Sequence, residues 1–193
     1  MEENIGFVAR SMKNFGFTDL RIVSPRSPLP NEKSRATSCG GADVLASAMV
    51  CETLIEALEG CDFVYACSVR SRRMNKDFYD VKEHIKDVSL TAAKGKGAIL
   101  FGSERSGLEN QDIALARKII YISTNPSYGS LNLSHAVTVI CHEYYANFVE
   151  SGEKSKSVAS KEADIKDIKY MIEDLDKKLI GTKFYIDHFR RDH

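Results

Sequence analysis

Three short segments of this 193-residue chain combine residue types that could bind a ligand and act on it. Residues 4 to 16 read NIGFVARSMKNFG, residues 101 to 108 read FGSERSGL, and residues 125 to 137 read NPSYGSLNLSHAV. Glycines in such segments permit close backbone approach, and serine and asparagine side chains can satisfy backbone groups in a buried loop. The segments follow or flank predicted strands, at the positions where α/β proteins gather their ligands.

Short apolar runs alternate with helical patterns along the chain, and these elements must position the three segments. The alternation predicts an α/β fold with a mostly parallel sheet and helices on both faces. Strands are expected at residues 20–23, 62–68, 98–102 and 119–123. Helices are expected at residues 5–15, 52–59, 110–117 and 134–150, with Asn4 as the N-cap of the first helix and Gly16 just after its end. Residues 24 to 41 contain three of the four prolines and are predicted to form a long loop.

The 27 basic and 27 acidic residues cancel, so the protein has no net charge that would attract nucleic acid or an anionic membrane. Any such contact must come from a local basic patch. The five cysteines include no Cys-x-x-Cys pair, which is typical of reduced thiols. No apolar run approaches the roughly 20 residues that a membrane helix needs. We therefore expect a cytoplasmic protein that does not insert into a membrane.

The composition predicts a main domain over residues 1–150, a polar linker over 151–160 and a helical extension over 161–193. The extension carries apolar residues at helical spacing, which must be buried on the domain or on a partner. They are Ile165, Ile168, Met171, Ile172, Leu175 and Leu179.

Two conventional sites are disfavoured by the sequence. The glycines of GKGAILFG (95 to 102) precede the predicted strand, whereas a dinucleotide-binding fingerprint needs them after it, and a phosphate-binding Gly-x-x-x-x-Gly-Lys loop is absent. His135, Cys141 and His142 could be imagined as metal ligands, but they are more simply ordinary helix residues. No metal is predicted.

The three segments together resemble, in order and at domain-like spacing, the three motifs of the SPOUT superfamily of RNA 2′-O-ribose methyltransferases. The matching patterns are Asn-x-Gly-x-x-x-Arg, Phe-Gly-x-Glu-x-x-Gly-Leu and Ser-Leu-Asn-Leu-Ser-x-Ala-Val. The segments ENIGFVARSMKNFGF, SVRSR (68 to 72) and NPSYGSLNL are most similar to the members that methylate the pyrimidine at position 32 of the tRNA anticodon loop. The resemblance covers about Asn4 to Val149.

This resemblance implies a C-terminal trefoil knot whose loops wrap S-adenosyl-L-methionine. Members of the superfamily begin with a strand before the first helix, and that strand is expected to be absent here. Carried over position by position, the cofactor contacts fall on residues that lie in or near the strand ends: Cys67, Ser68, Val69, Gly102, Ile122, Gly129, Ser130 and Leu131.

The resemblance also places Arg10, Ser130 and Arg72 among the catalytic residues. Since a guanidinium stays protonated, we assign Arg10 to orienting the target phosphate and stabilising the developing alkoxide rather than to acting as a base. Glu104 is expected to brace the knot or pair with an arginine, or else to form a surface ion pair.

The run RSRRMNK (70 to 76) is basic without an acid, so Arg70 and Arg72 are predicted to contact tRNA phosphates. The implied partners are tRNA and a second copy in a homodimer. Two alternatives stay open: the same methylation at a wobble or ribosomal RNA nucleotide, and a SPOUT protein that binds RNA or cofactor without turnover.

Overall fold

The structure, a computed structural model, describes residues 2–69, 76–92, 95–150 and 165–181. It divides into two compact units, Met1–Glu153 and Lys154–His193. The first unit contains seven helices and six strands within its described residues. The helices are α1 (Glu2–Asn14), α2 (Glu32–Ser38), α3 (Ala42–Ala46), α4 (Leu54–Ala57), α5 (Val81–Ala92), α6 (Asn110–Leu115) and α7 (Leu133–Glu150). The strands are β1 (Arg21–Val23), β2 (Met49–Cys51), β3 (Phe63–Cys67), β4 (Phe78–Asp80), β5 (Gly97–Phe101) and β6 (Lys118–Tyr121).

The strands form two sheets in which every described pairing is parallel. Strands β1 and β2 make one sheet, and the other has the order β4-β6-β3-β5. The sequence prediction of a parallel α/β fold is therefore confirmed, and its four predicted strands correspond to β1, β3, β5 and β6. Strands β2 and β4 were not predicted.

Helices cover both faces of the four-stranded sheet, as the alternation of side chains along its strands dictates. Tyr65 and Ile120 face α5 and α7, where they pack with Val81, Ile85, Val88 and Ile140. Ala66, Leu100 and Ile119 face the other way and pack against Ile113, Leu108 and the partly buried Leu54. The sheet is thus fixed in the middle of the unit, with its strand ends free to form a site.

Helix α1 packs tightly against its neighbours because two glycines remove the side chains that would obstruct it. A Cβ on Gly6 would lie 2.2 Å from the carbonyl oxygen of Ser34 in α2, and one on Gly41 would lie 2.7 Å from the backbone of Ala9. The helix ends at Asn14, and Gly16, predicted to lie just after its end, has a φ of 76°. Its start differs from the prediction, because Asn4 lies inside the helix rather than at its N-cap.

The prediction of a long loop over residues 24 to 41 was wrong. This segment contains α2 and a 3₁₀ turn, Cys39–Gly41. A capping box begins α2, in which the Asn31 side chain accepts from the Ser34 backbone and the Ser34 side chain accepts from the Asn31 backbone. The helix has no apolar stripe, since the residues it buries are Ser34 and Ser38, so hydrophobic periodicity did not reveal it.

Asp19 links the beginnings of the two sheets. Its carboxylate accepts from Arg21 Nε at 3.1 Å and lies 2.7 Å from Lys96 Nζ, next to the start of β5. The hydrogen bonds from Arg21 and then Lys96 lower the pKa of this carboxyl group. The Asp19 carboxylate is therefore ionised and links Arg21 of the first sheet to Lys96 beside the second.

The second unit contains one described helix, α8 (Ile165–Gly181). Tyr170, Met171, Leu175 and Ile180 are exposed on it. The predicted linker, residues 151 to 160, lies outside the described residues. Across the helices that the structure describes, none has the length and apolar character to cross a membrane.

Candidate active site

A pocket opens at the carboxyl ends of the three adjacent strands β3, β5 and β6. Its walls come from the residues that end each strand and from the beginning of α7. They are Cys67, Ser68, Val69, Phe101, Gly102, Ser103, Glu104, Gly107, Leu108, Ile122, Ser130, Leu131, Leu133 and Ala136. Because parallel strands direct their carboxyl ends to the same edge, this is the expected location of a ligand site in an α/β protein.

The pocket gathers seven of the eight residues predicted to contact the cofactor: Cys67, Ser68, Val69, Gly102, Ile122, Ser130 and Leu131. The eighth, Gly129, does not line it, and its carbonyl accepts from Thr124 Oγ1 at 3.2 Å. Their roles stay predictions, but the structure brings the seven positions together from three separate parts of the chain.

Gly102 is required at the end of β5 by the close approach of the segment that follows. A Cβ at this position would lie 2.1 Å from both the carbonyl carbon of Gly107 and the backbone nitrogen of Leu108. The segment folds back on itself through a hydrogen bond from the Gly107 N–H to the Ser103 carbonyl at 2.8 Å. Gly107 adopts a φ of 70°, which favours glycine. The two glycines therefore shape one wall of the pocket.

Part of the pocket wall is apolar. Phe101, Leu108, Ile122, Leu133 and Ala136 contribute hydrocarbon surface, and burial raises the pKa of the Cys67 thiol to about 12. Cys67 is therefore a neutral wall residue rather than a thiolate nucleophile. The cavity is about 130 Å³, below the roughly 300–1,000 Å³ of drug-sized ligand sites, so a nucleoside ligand requires the walls to open.

A hydrogen-bonded triad joins the three motif segments at the rim of this pocket. The Glu104 carboxylate accepts from the side-chain amides of Asn4 and Asn132, the latter at 2.8 Å. Asn132 Nδ2 also lies 3.2 Å from the Asn4 side-chain oxygen, and its own oxygen accepts from the backbone N–H and hydroxyl of Ser134. Glu104 thus braces the three segments.

Sequence reasoning missed the role of Asn4 in this triad. It treated the residue as a helix cap, yet Asn4 is 5% exposed and its partners lie about a hundred residues or more along the chain. Its presence in the Asn-x-Gly-x-x-x-Arg pattern was the available signal. An asparagine that only caps a helix would not need the glycine and arginine that follow it in this pattern.

Replacing Glu104 by alanine is expected to lower the free energy of unfolding by about 1–3 kcal/mol, because the amide of the buried Asn4 would lose its acceptor. Glu104→Gln keeps a carbonyl oxygen and should lose less. Thermal or denaturant unfolding of the two variants measures the difference. Equal losses for alanine and glutamine would contradict the bracing role.

Arg10 lines a second cavity, of about 300 Å³, on the surface formed by α1 and the start of α7. Phe7, Asn14, His135 and Thr138 line it as well, together with Asn4 and Asn132 of the triad. Arg10 is exposed, and its Nη1 lies 3.8 Å from Cys39 Sγ. The structure therefore does not place Arg10 among the residues that line the pocket at the strand ends.

The other predicted residues divide between the described and the undescribed parts of the chain. Ser130 lines the strand-end pocket, whereas Arg70 and Arg72 lie outside the described residues. The imagined metal ligands do not converge: Cys141 is buried in the core beside α1, and burial raises its pKa to about 12, while the His142 ring contacts Phe15 edge-on.

The sequence profile of the SpoU rRNA Methylase family matches residues 1–142, which include all three motif segments. The chain belongs to the SpoU methylase family. The resemblance predicted from the three motif segments is thereby confirmed at the level of this family.

Two named relatives identify the part of the SpoU methylase family that this chain resembles. It is 35% identical over 185 residues to the tRNA (cytidine/uridine-2′-O-)-methyltransferase TrmJ of Escherichia coli strain K12, covering 94% of this chain and 74% of that protein. The crystal structure of TrmJ from Z. mobilis ZM4 superimposes with a TM-score of 0.69 and 34% identity, covering 96% of this chain and 78% of that chain.

A more distant SpoU methyltransferase shares the fold. AviRb from Streptomyces viridochromogenes, solved in complex with AdoMet, has a TM-score of 0.63 and 22% identity, covering 78% of this chain and 57% of that chain. At this identity the likeness concerns the fold alone.

Proposed function

We propose that this chain is an S-adenosylmethionine-dependent tRNA 2′-O-methyltransferase that acts on the pyrimidine nucleotide at anticodon-loop position 32. The observation that carries the proposal is the Asn4–Glu104–Asn132 triad, which joins the three motif segments beside the strand-end pocket that two of them line. The relatives named TrmJ, which are similar along nearly the whole chain, support tRNA as the substrate.

The strand-end pocket suits S-adenosylmethionine because it combines apolar side chains with a closely approaching backbone turn. The hydrocarbon of Ile122, Leu131 and Leu133 can hold the adenine, and the space above Gly102 is shaped by the turn of residues 103 to 107. When bound, the cofactor supplies the methyl group on a sulfonium. The protein supplies the walls, the orientation and the exclusion of water.

Arg10 is the residue assigned to the substrate side of the reaction. Its exposed guanidinium can bind a phosphate with two parallel hydrogen bonds and so hold the neighbouring ribose in place. A fixed positive charge beside the ribose 2′-oxygen also stabilises the negative charge that develops as the proton leaves. Ser130 lies in the strand-end pocket and provides a hydroxyl near the cofactor.

Within one chain, Arg10 lines a different cavity from the strand-end pocket. We therefore assign the complete site to a homodimer. In this arrangement the Arg10 surface of one protomer faces the strand-end pocket of its partner. Phe7 and Tyr145, exposed by 42% and 46% on α1 and α7, offer apolar surface for the contact.

The remaining parts of the proposal follow from the same family resemblance. Arg70 and Arg72 are assigned to tRNA phosphates, with Arg72 also close to the reaction. The segment after β6 is assigned to the trefoil knot, which is supported by the contacts of Asn132 with residues of two earlier segments. A tRNA substrate and five cysteines without a described disulfide support a cytoplasmic location.

The proposal is tested by incubating the purified chain with methyl-tritiated S-adenosylmethionine and unmodified tRNA, followed by nuclease mapping of the label. Label on the ribose of nucleotide 32 is expected. Label at the wobble nucleotide, or on ribosomal RNA offered in parallel, would show that the proposed substrate is wrong and that the proposed reaction, 2′-O-methylation, is right. Cofactor binding without any transfer would refute the enzymatic function.

A further inference from the structure

Three exposed side chains, Val69, Tyr128 and Leu131, lie on the loops that leave the strand-end pocket, and we call them the apolar patch. They are 50%, 80% and 36% exposed. Val69 and Leu131 line the pocket, and Tyr128 precedes the lining residue Ser130 by two positions. Val69 follows β3, and the other two follow β6. Because β3 and β6 are paired parallel strands, both loops leave the same edge of the sheet as neighbours.

The turn that carries Tyr128 is held by backbone and short polar groups. The Tyr128 N–H donates to the Asn125 carbonyl at 2.9 Å, and the Ser127 N–H donates to the Asn125 side-chain oxygen at 2.9 Å. Thr124 Oγ1 donates to the Gly129 carbonyl at 3.2 Å. None of these bonds uses the tyrosine ring, so the turn itself does not explain an aromatic residue at this position. The turn fixes the Tyr128 backbone and leaves the ring open to solvent.

An aromatic ring on a fixed turn is suited to stacking on a planar ligand. Proteins bind the unpaired bases of RNA loops by stacking them on aromatic side chains. Such stacking tolerates any base, because every base has a π face, and it adds affinity without reading sequence. Val69 and Leu131 extend the apolar surface beside the ring, where a stacked base can pack its edge.

The size of the apolar patch favours a single base over a protein partner. Stable protein interfaces use roughly 20–30 residues a side, whereas this patch consists of three side chains. Its position favours RNA as well, because two of its residues line the pocket to which the target ribose must come. The ligand that fits both observations is a base adjacent to the reacting nucleotide.

We propose that the apolar patch binds the unpaired base next to the methylated nucleotide, with Tyr128 stacking on that base. This inference rests on the proposed function, which brings the anticodon loop to the pocket. It adds a positioning residue, because stacking of the neighbouring base limits how the target ribose can lie. With nucleotide 32 as the target, the stacked base is that of nucleotide 33.

A fluorescence titration detects the stacking directly. The chain contains no tryptophan, so Tyr128→Trp introduces a single reporter that retains an aromatic face. Ile55→Trp is the matched control, because Ile55 is 62% exposed on α4 and lines neither cavity. Unmodified tRNA transcript is expected to quench the emission at position 128 at least about five times more than the emission at position 55. Equal quenching at the two positions would overturn the stacking.

Steady-state kinetics test the positioning role. Tyr128→Ala is expected to raise KM for tRNA about tenfold with kcat nearly unchanged, whereas Tyr128→Phe keeps the ring and should behave as the unaltered chain. The alanine effect should vanish on a tRNA with an abasic residue at nucleotide 33, since that RNA has already lost the stacked base. An alanine effect of the same size on the abasic RNA would overturn the assignment.

The outcomes separate this inference from the proposed function. Selective quenching at position 128 without methyl transfer would refute only the enzymatic function. Transfer to nucleotide 32 without selective quenching would refute only the stacking. Light scattering of Tyr128→Ala is expected to give the mass of the unaltered chain, and a lower mass would show that the patch binds a second copy instead of RNA.

Discussion

Replacing Arg10 by alanine is expected to lower the rate of methyl transfer to tRNA by about 10²–10³-fold and to leave the affinity for S-adenosylmethionine unchanged. The reason is that Arg10 lines the α1 surface rather than the strand-end pocket, so the cofactor walls remain intact. Arg10→Lys keeps the charge but loses the planar fork that binds phosphate, and it should recover only part of the rate. Single-turnover kinetics and cofactor titration measure the two quantities.

Lys13→Ala is the matched control for this prediction. Lys13 lies on the same helix, carries the same charge and pairs with Asp43 outside both cavities. Its replacement is expected to leave transfer unchanged. An equal loss in the two variants would show that α1 acts through its general positive charge and not through Arg10.

A mixing experiment decides whether the site is completed across two protomers. Leu131 lines the strand-end pocket, so Leu131→Asp is expected to block the cofactor, and it leaves Arg10 intact. If the site spans the interface, a heterodimer of the Arg10→Ala and Leu131→Asp chains contains one complete site and regains activity. If each site belongs to one chain, the mixture stays as inactive as its components.

The parts of the fold that sequence predicted are those with a strong local pattern. Strands β3 and β5 are five residues long and rich in apolar side chains, and α7 runs for 18 residues from Leu133, one residue before its predicted start. Strands β2 and β4 have three residues each, too few for alternation to be read, and β1, which is equally short, was predicted only from the run LRIV at residues 20–23. Strands β2 and β4 form because β1 and β6 offer edges for backbone hydrogen bonds. These partner strands are distant in sequence, so the local pattern does not reveal them.

In the candidate site, too, the sequence predicted some features and missed those that depend on distant parts of the chain. The family resemblance located seven residues of the strand-end pocket; five lie at the ends of β3, β5 and β6, where topology brings them to a common edge, and Ser130 and Leu131 lie in the loop before α7. It could not show that Arg10 faces a different cavity, since that depends on the rotation of α1 about its axis. It also could not identify the hydrogen-bond acceptor of Asn4, because Glu104 lies 100 residues away along the chain.

Replacing Gly102 by alanine is expected to lower the free energy of unfolding by about 1–3 kcal/mol or more. The new methyl group would lie 2.1 Å from the backbone of Gly107 and Leu108. Backbone atoms in a closed turn cannot rotate away as a side chain can, so the turn of residues 103 to 107 must move. For a chain of this size, each kcal/mol lowers Tm by roughly 2–4 °C.

The same substitution separates a structural glycine from one that shapes the cofactor site. Because Gly102 and the displaced turn line the strand-end pocket, Gly102→Ala should weaken S-adenosylmethionine binding even at temperatures where the chain stays folded. Gly40→Ala is the control, since a Cβ at Gly40 meets nothing within 4 Å and should change neither quantity. A Gly102→Ala chain with a lowered Tm but normal cofactor affinity would mean that the cofactor does not rest against this turn, and the assignment of the pocket would fail with it.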